Sequence, residues 1–448
     1  MKHFSDNTSK SAPRHSAKAS GSRFKDETPR VKHNFGSGPD ATKIYPGKAS
    51  SKKPRTQSVG TPTAPVPQTK AGYLPAFLFA GFILTMAVLF LALPKQTFSA
   101  SEKRYLEEFP KASVENILDG KFGKSFETYF ADHFPVRNLW VGTNAYATLA
   151  EGNNGANNVY FCKDDYLINK PIPEKNDLEF NLWVMGMFKQ TIGDIPMTAM
   201  FVPSTGYIVE DKLPLVHDTY NDDEYFKQIA ESTQANGIGF IDLRSAFKEA
   251  YKNGSKLYYR TDHHWTTEGA YNAYLQYCAA MGLQPLGKNR YTLESHEGFC
   301  GTTYSTGGFL LTPSETLEVW NNPANKEDKI TVTITEDNEA PIVTHSMFFN
   351  EHDKDADKYP IFLDGNHALT TITNDNVKDG TLLVVKDSFS HCMAPFLADH
   401  YHKVILVDLR LYVLGRLSDL VAAEKPDQIL VLYGIDNFAQ DNDFNKMQ

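Results

Sequence analysis

The chain has 448 residues, 41% of them hydrophobic and 22% charged, with a formal net charge of -9, which is enough apolar material for two or three average domains. The charge is unevenly spread: residues 1–72 carry fourteen Lys and Arg against four Asp and Glu, whereas the residues from Lys95 onward carry 31 against 50, a balance of -19. An acidic body excludes nucleic acid as the partner of the larger part, because that would require a basic footprint. No period of 20 to 50 residues recurs, which excludes a solenoid or a propeller.

Residues 1–70 hold almost no large aliphatic side chains and are rich in Ser, Pro, Gly, Thr and Lys. Such a segment cannot bury enough apolar surface to offset its ordering entropy, and it reads as a disordered basic tail. The stretch from Ala71 to Pro94 carries no charge, with Tyr73 at its edge and Lys70 and Lys95 just outside. Its length fits one transmembrane helix over 71–94, since a bilayer core takes about 20 apolar residues. The basic tail predicts a cytoplasmic N-terminus, so that residues 95–448 are extracytoplasmic and anchored to the cell membrane.

Residues 95–155 read as an aromatic-rich, juxtamembrane helical region. A globular domain over 156–448 opens with Asn158 to Phe161 and Tyr166 to Ile168 flanking Lys163-Asp164-Asp165, a hairpin pattern. Met197 to Val202 and Ile238 to Leu243 read as strands separated by an amphipathic helix from Asp222 to Gln234. A helix from Thr266 or Thr267 to Gly282 follows the tetrapeptide Asp262-His263-His264-Trp265. The segment of about 283–380 reads as a β-rich insertion. Then strands at Thr381 to Val385, Val404 to Val407 and Gln428 to Tyr433 alternate with helices running toward His400 and over Leu411 to Ala423. This alternation predicts an α/β fold on a parallel sheet.

Ser388 follows an apolar strand directly and precedes a helix, which places it at the carboxyl edge where open α/β sheets bind ligands. The same position also suits a helix N-cap. A serine hydroxyl needs a histidine base oriented by a carboxylate to act as a nucleophile. Asp262 and His264 supply that pair if the backbone between them is extended, which puts both side chains on one side. Asp262, His263 and His264 are equally standard metal ligands, although no other histidine stands at a ligating spacing. A purely structural loop is the third reading. Cys162, Cys278, Cys300 and Cys392 show no zinc cadence; an oxidising compartment would permit disulfides among them, and Cys392 also fits a buried helix position.

Tyr259 to Thr266, together with Phe126 to Arg137, Leu363 to His367, Lys386-Asp387-Ser388 and Val407 to Arg410, resembles the sequence blocks of the DHHW family from about Tyr105 onward. That family is similar to the SGNH-like acetyltransferase domains of alginate O-acetylation. The resemblance implies a circularly permuted SGNH-hydrolase-like fold with a Ser-His-Asp triad of Ser388, His264 and Asp262. The chain departs at Lys386, where those acetyltransferases tend to have glycine. With the Ser388 amide, Arg410, Asn437 and Trp265 become candidates for oxyanion or substrate contacts. The resemblance implies no metal and no cofactor. It implies an O-acyltransferase, of acetyl first of all, that modifies a cell-surface polysaccharide or glycopolymer, with a multi-span membrane acyltransferase as donor partner. An esterase of the same fold and a non-catalytic protein that binds glycan or another partner are the alternatives.

Overall fold

The uncharged stretch forms helix α1, Leu74–Ala92, with a proline in its first turn, where the missing N–H leaves no bond unmade. In the computed structural model, which describes residues 73–99 and 104–447, none of its residues is buried against protein and its mean hydropathy is 2.4. At 1.5 Å per residue it is about 28 Å long, close to the thickness of a bilayer core. It fits a single-pass anchor. The tail expected over 1–70 lies outside the described residues.

The domain is built on an eight-stranded sheet. In chain order its strands are β1 (Met197–Val202), β2 (Gly239–Asp242), β3 (Ile330–Thr335), β4 (Ile342–Thr344), β5 (Leu369–Asn374), β6 (Thr381–Lys386), β7 (Lys403–Val407) and β8 (Gln428–Gly434). They lie in the order β4-β3-β5-β7-β6-β8-β1-β2. β7, β6, β8, β1 and β2 run parallel. The unbroken apolar runs of β6, β7 and β8 are explained by burial on both faces. Leu382 and Val384 of β6 enter one core with Tyr274 and Phe396, whereas Leu383 and Val385 enter the other with Leu182 and Phe226.

Two expectations change here. The sheet is mixed, because β3, β4 and β5 extend it antiparallel from the β7 edge. They belong to the segment expected as an insertion, of which only the hairpin Thr292–Phe299 and Glu315–Asn321 stands apart from the large sheet. The cause is one-sided burial: Ile330, Val332 and Ile334 alternate with partly exposed threonines, the pattern of an antiparallel margin. The helix expected from Leu411 begins only at Leu417, after Gly415 at φ 144°. The Lys163-Asp164-Asp165 hairpin is present, with Val159–Phe161 paired to Leu167–Asn169.

Two helices on one face of the sheet carry the site. α2 is Thr267–Met281 and α3 is Ser390–Ala398. They are joined by aromatic packing, with the Phe396 ring centroid 5.2 Å from that of Tyr291, 5.4 Å from Tyr274 and 5.7 Å from Tyr271. Phe396→Ala should therefore cost about 3–5 kcal/mol of unfolding free energy, measured by denaturant titration; a loss below about 1 kcal/mol would show that the cluster does not fix α3.

Candidate active site

The tetrapeptide is a bend closed at its base by a bridge between Tyr258 and Trp265 and by Thr266 N–H donating to Leu257 O at 2.9 Å. The backbone from Asp262 to His264 is bent rather than extended. What brings the two side chains together is a local turn, in which Asp262 Oδ1 accepts both the His264 backbone N–H at 2.7 Å and its Nδ1 at 2.5 Å. Asp262 Oδ2 accepts from Thr302 N at 2.6 Å and Thr302 Oγ1 at 2.9 Å. A carboxylate only accepts, so Nδ1 carries the imidazole proton and Nε2 is free to accept. His264 Nε2 lies 2.7 Å from Ser388 Oγ. The Tyr359 ring stacks on the imidazole at 3.9 Å and 6°.

Ser388 sits in the turn between β6 and α3, with its residue 8% exposed. It is not the helix N-cap, which is Phe389. Asp387 shapes the turn: its Oδ1 accepts from Phe389 N at 2.9 Å, and its Oδ2 from Gly434 N at 2.8 Å and Asn437 Nδ2 at 2.7 Å. Burial nevertheless pushes the Asp387 carboxyl above its usual range. Among the described residues the Ser388 backbone N–H makes no hydrogen bond, which suits a developing oxyanion.

Lys386 replaces the expected glycine without leaving a naked charge. Its Nζ donates to Asp408 Oδ2 at 3.0 Å and to His391 Nε2 at 2.8 Å, and the Arg410 guanidinium grips the same Asp408 carboxylate at 2.6 and 2.8 Å. Burial lowers the Lys386 pKa, opposed by Asp408, and burial with Lys386 holds His391 neutral, well below the ordinary imidazole value. The cluster ties the end of β6 to the first turn of α3 and to the end of β7.

The other expected residues divide. Trp265 is fully buried and its indole N–H donates to Phe389 O at 3.0 Å, so it braces the serine turn and cannot meet substrate. Arg410 is committed to Asp408 and Asn366, and Asn437 to Asp387; neither makes a hydrogen bond with Ser388. Asp262, His263 and His264 place one potential metal-ligand atom each within 4.8 Å of one another. Both carboxylate oxygens of Asp262 are already filled by two donors each, and both His264 nitrogens are engaged, so this donor set does not fit a metal without dismantling it. All four cysteines are free thiols, with Cys392 buried in α3.

Beside the serine turn lies a cleft lined by His263, Phe389, Ser204, Tyr220, Asp436 and Asn437. Ser204 joins two carboxyls: its N–H donates to Asp222 Oδ1 at 2.8 Å and its hydroxyl to Asp436 Oδ1 at 2.9 Å. Burial raises both, Asp222 to about 6 and Asp436 to about 7, the latter also through the charge of Asp222.

Sequence reasoning missed Thr302, Tyr359 and Glu315, whose carboxylate accepts from the Arg260 N–H, the Thr261 N–H and the Thr261 hydroxyl. The one local signal was Gly301. A Cβ there would lie 2.1 Å from Asp262 Oδ2, so only glycine lets the Thr302 amide approach that carboxylate.

The model of the DHHW family, described as DHHW protein, matches residues 236–407. A probable alginate O-acetylase AlgJ of Pseudomonas aeruginosa is 30% identical over 181 residues, covering 36% of this chain and 43% of that protein. A Pseudomonas fluorescens protein of the same name is 27% identical, covering 43% and 49%. The chain thus spans about half the length of the curated relatives it matches. Among solved structures, Bacillus cereus PatB1 with a sulfonyl adduct superposes with a TM-score of 0.55 at 21% identity, over 64% of this chain and 97% of that one. A DHHW family protein from Eubacterium siraeum gives 0.54 at 20% identity, over 65% and 95%. The fold is shared with both.

Gly301→Ala should displace Asp262 and lower the labelling rate of Ser388 by a serine-directed fluorophosphonate at least tenfold; labelling at the parental rate would refute the role given to that close approach. The folded chain also holds protons on Asp222 and Asp436 that the unfolded chain has lost between about pH 4 and 7, so this pair stabilises at the acid end and less as pH rises. Asp436→Asn should flatten the decline in Tm between about pH 4 and 7. An unchanged slope would remove the pair from the account.

Proposed function

We propose that this chain, which matches the DHHW family model over its central region, is an extracytoplasmic O-acyltransferase that modifies a cell-surface polysaccharide or glycopolymer. The observation that carries the reading is the contact of Ser388 Oγ with His264 Nε2, at 2.7 Å, with Nδ1 of the same ring on Asp262. The relatives' name, probable alginate O-acetylase, supports acetyl as the group and a polysaccharide as the acceptor.

In this reading Ser388 Oγ attacks the carbonyl carbon of an acyl donor while His264 Nε2 takes the hydroxyl proton. The Ser388 amide holds the oxyanion. The tetrahedral species expels the donor's leaving group, which takes the proton from His264, and Ser388 is left as an acyl ester. A sugar hydroxyl attacks that ester as His264 accepts its proton, and the proton finally returns to Ser388 Oγ. Asp262 fixes the tautomer throughout. The order Asp262, His264, Ser388 along the chain makes this a circularly permuted relative of the SGNH arrangement.

The domain plan belongs to the same proposal. A basic cytoplasmic tail spans 1–70, a membrane span 71–94, a juxtamembrane region 95–155 and an extracytoplasmic catalytic domain 156–448. A multi-span membrane acyltransferase delivers the acyl group to the outer face.

Ser388→Ala should abolish both fluorophosphonate labelling and acylation of the surface polymer while leaving the circular dichroism spectrum unchanged. Asp262→Asn should slow acyl transfer by about 10³–10⁴-fold through the wrong imidazole tautomer. Full acylation in the Ser388→Ala strain would overturn the proposal. Turnover of an acetyl ester by water alone, with sugar acceptors supplied and unused, would make the chain an esterase. An inert Ser388 in a folded chain that still binds glycan would make it a binding protein.

A further inference from the structure

The two neighbours of Ser388 in the chain line two different clefts. Phe389 lines the one already described; Asp387 lines a second, with Arg410, Tyr433, Gln440, Asp441 and Asp443 among its walls. Asn437 lines both. The second cleft is open to solvent and holds about 300 Å³, at the lower end of the ~300–1,000 Å³ of small-molecule sites.

Two polar atoms of this cleft have no hydrogen-bond partner among the described residues. Tyr433 is fully buried and its hydroxyl makes no hydrogen bond; Asp441 is 8% exposed and its Oδ2 makes none. An unmade bond of this kind costs about 1–3 kcal/mol in a buried site. Its neighbours are satisfied from within the protein: Asp387 Oδ2 takes the Gly434 and Asn437 donors, and Asp441 Oδ1 takes the Asp443 N–H at 2.8 Å. Tyr433 and Asp441 both line this cleft, so an unpaired donor and an unpaired acceptor are buried in its wall. A sugar hydroxyl, which both donates and accepts, satisfies the two together.

Charge narrows the sugar. Among the residues lining the two clefts the one Lys or Arg is Arg410, and its guanidinium is held on Asp408 by two hydrogen bonds. Against it stand Asp441 and Asp443 in the second cleft. A uronate would bring a carboxylate into this field with no free cation to meet it. Burying an unpaired charge beside like charges is strongly unfavourable.

We infer that the acceptor is an uncharged sugar chain lying across the two clefts that flank Ser388, with Tyr433 and Asp441 forming its second subsite. The inference rests on the acyl-transfer reading for its purpose, and it separates this chain's acceptor from the polyuronate named in its relatives. Asn437, held on Asp387, forms the wall between the two subsites. A polymer spanning both presents one hydroxyl near Ser388 while a neighbouring ring occupies the Tyr433–Asp441 cleft.

The test is calorimetric titration of the full chain in detergent micelles with cellohexaose, chitohexaose and hexamannuronate. At least one of the two uncharged hexasaccharides should bind at least tenfold more tightly than hexamannuronate. Tyr433→Phe and Asp441→Asn, each checked for an unchanged Tm, should weaken that binding fivefold or more; if Asp441→Asn does not fold, Tyr433→Phe alone decides. Equal or tighter binding of hexamannuronate, no binding of either uncharged probe, or full affinity in Tyr433→Phe would overturn the inference. Discriminating glycan binding together with a Ser388 inert to fluorophosphonate would leave the subsite standing and remove the acyl chemistry.

Discussion

The site depends on one carboxylate accepting four hydrogen bonds. Asp262 takes two from His264 and two from Thr302. The local pair sets the turn of the tetrapeptide and the tautomer of the imidazole. The distant pair pins that turn to a segment some forty residues on. Remove either and His264 loses a constraint on the direction in which Nε2 points. Stacking of Tyr359 on the ring supplies the remaining restraint, and the Tyr359 hydroxyl also donates to Ser388 O at 3.3 Å. Histidine and serine are therefore positioned by a common neighbour.

Beneath the serine turn a second device works by charge. Lys386 is buried, and alone it would be untenable there. Asp408 and Arg410 from the end of β7, and a neutral His391 from α3, convert the liability into a tie between two strands and a helix. Burying such a network need not add net stability, since desolvation consumes much of the Coulombic gain. What it supplies is position: the ends of β6 and β7 and the start of α3 cannot shift independently without exposing a charge to apolar surroundings.

Legibility in the sequence follows the range of each interaction. The parallel strands were readable because burial on both faces writes an unbroken apolar run, as in Leu382 to Val385. The antiparallel margin was not legible as part of the large sheet: β3 alternates like any half-buried strand, and nothing local says that its neighbour β5 will pair with β7. Asp262, His264 and Ser388 were legible as chemistry-bearing residues at element ends. The bent backbone that joins the first two was not, because it follows from the aspartate accepting the amide two residues on. Thr302, Glu315 and Tyr359 act across 29 to 95 residues of sequence and carry no motif of their own. Lys386 was visible as a departure, but its compensation comes from two other elements.

Apart from His264, Trp265 and Tyr359, the polar groups around the serine turn leave the carboxyl ends of parallel strands: Ser204 after β1, Asp387 after β6, Asp408 after β7, and Asp436 and Asn437 after β8. Their relative heights are set by register, with Val385 opposite both Val407 and Val431 and Lys386 opposite Leu432. A slip of one residue in β6 would turn Ser388 to the other face and exchange the two cores, which the fit of Leu382 and Val384 into one and of Leu383 and Val385 into the other opposes. The sheet thus fixes the nucleophile, while the clefts on either side are walled by short loops such as Gln440 to Asp443, which carry no register. Acceptor specificity can change in those loops at little cost to the fold, whereas a change in the serine turn is felt by both cores.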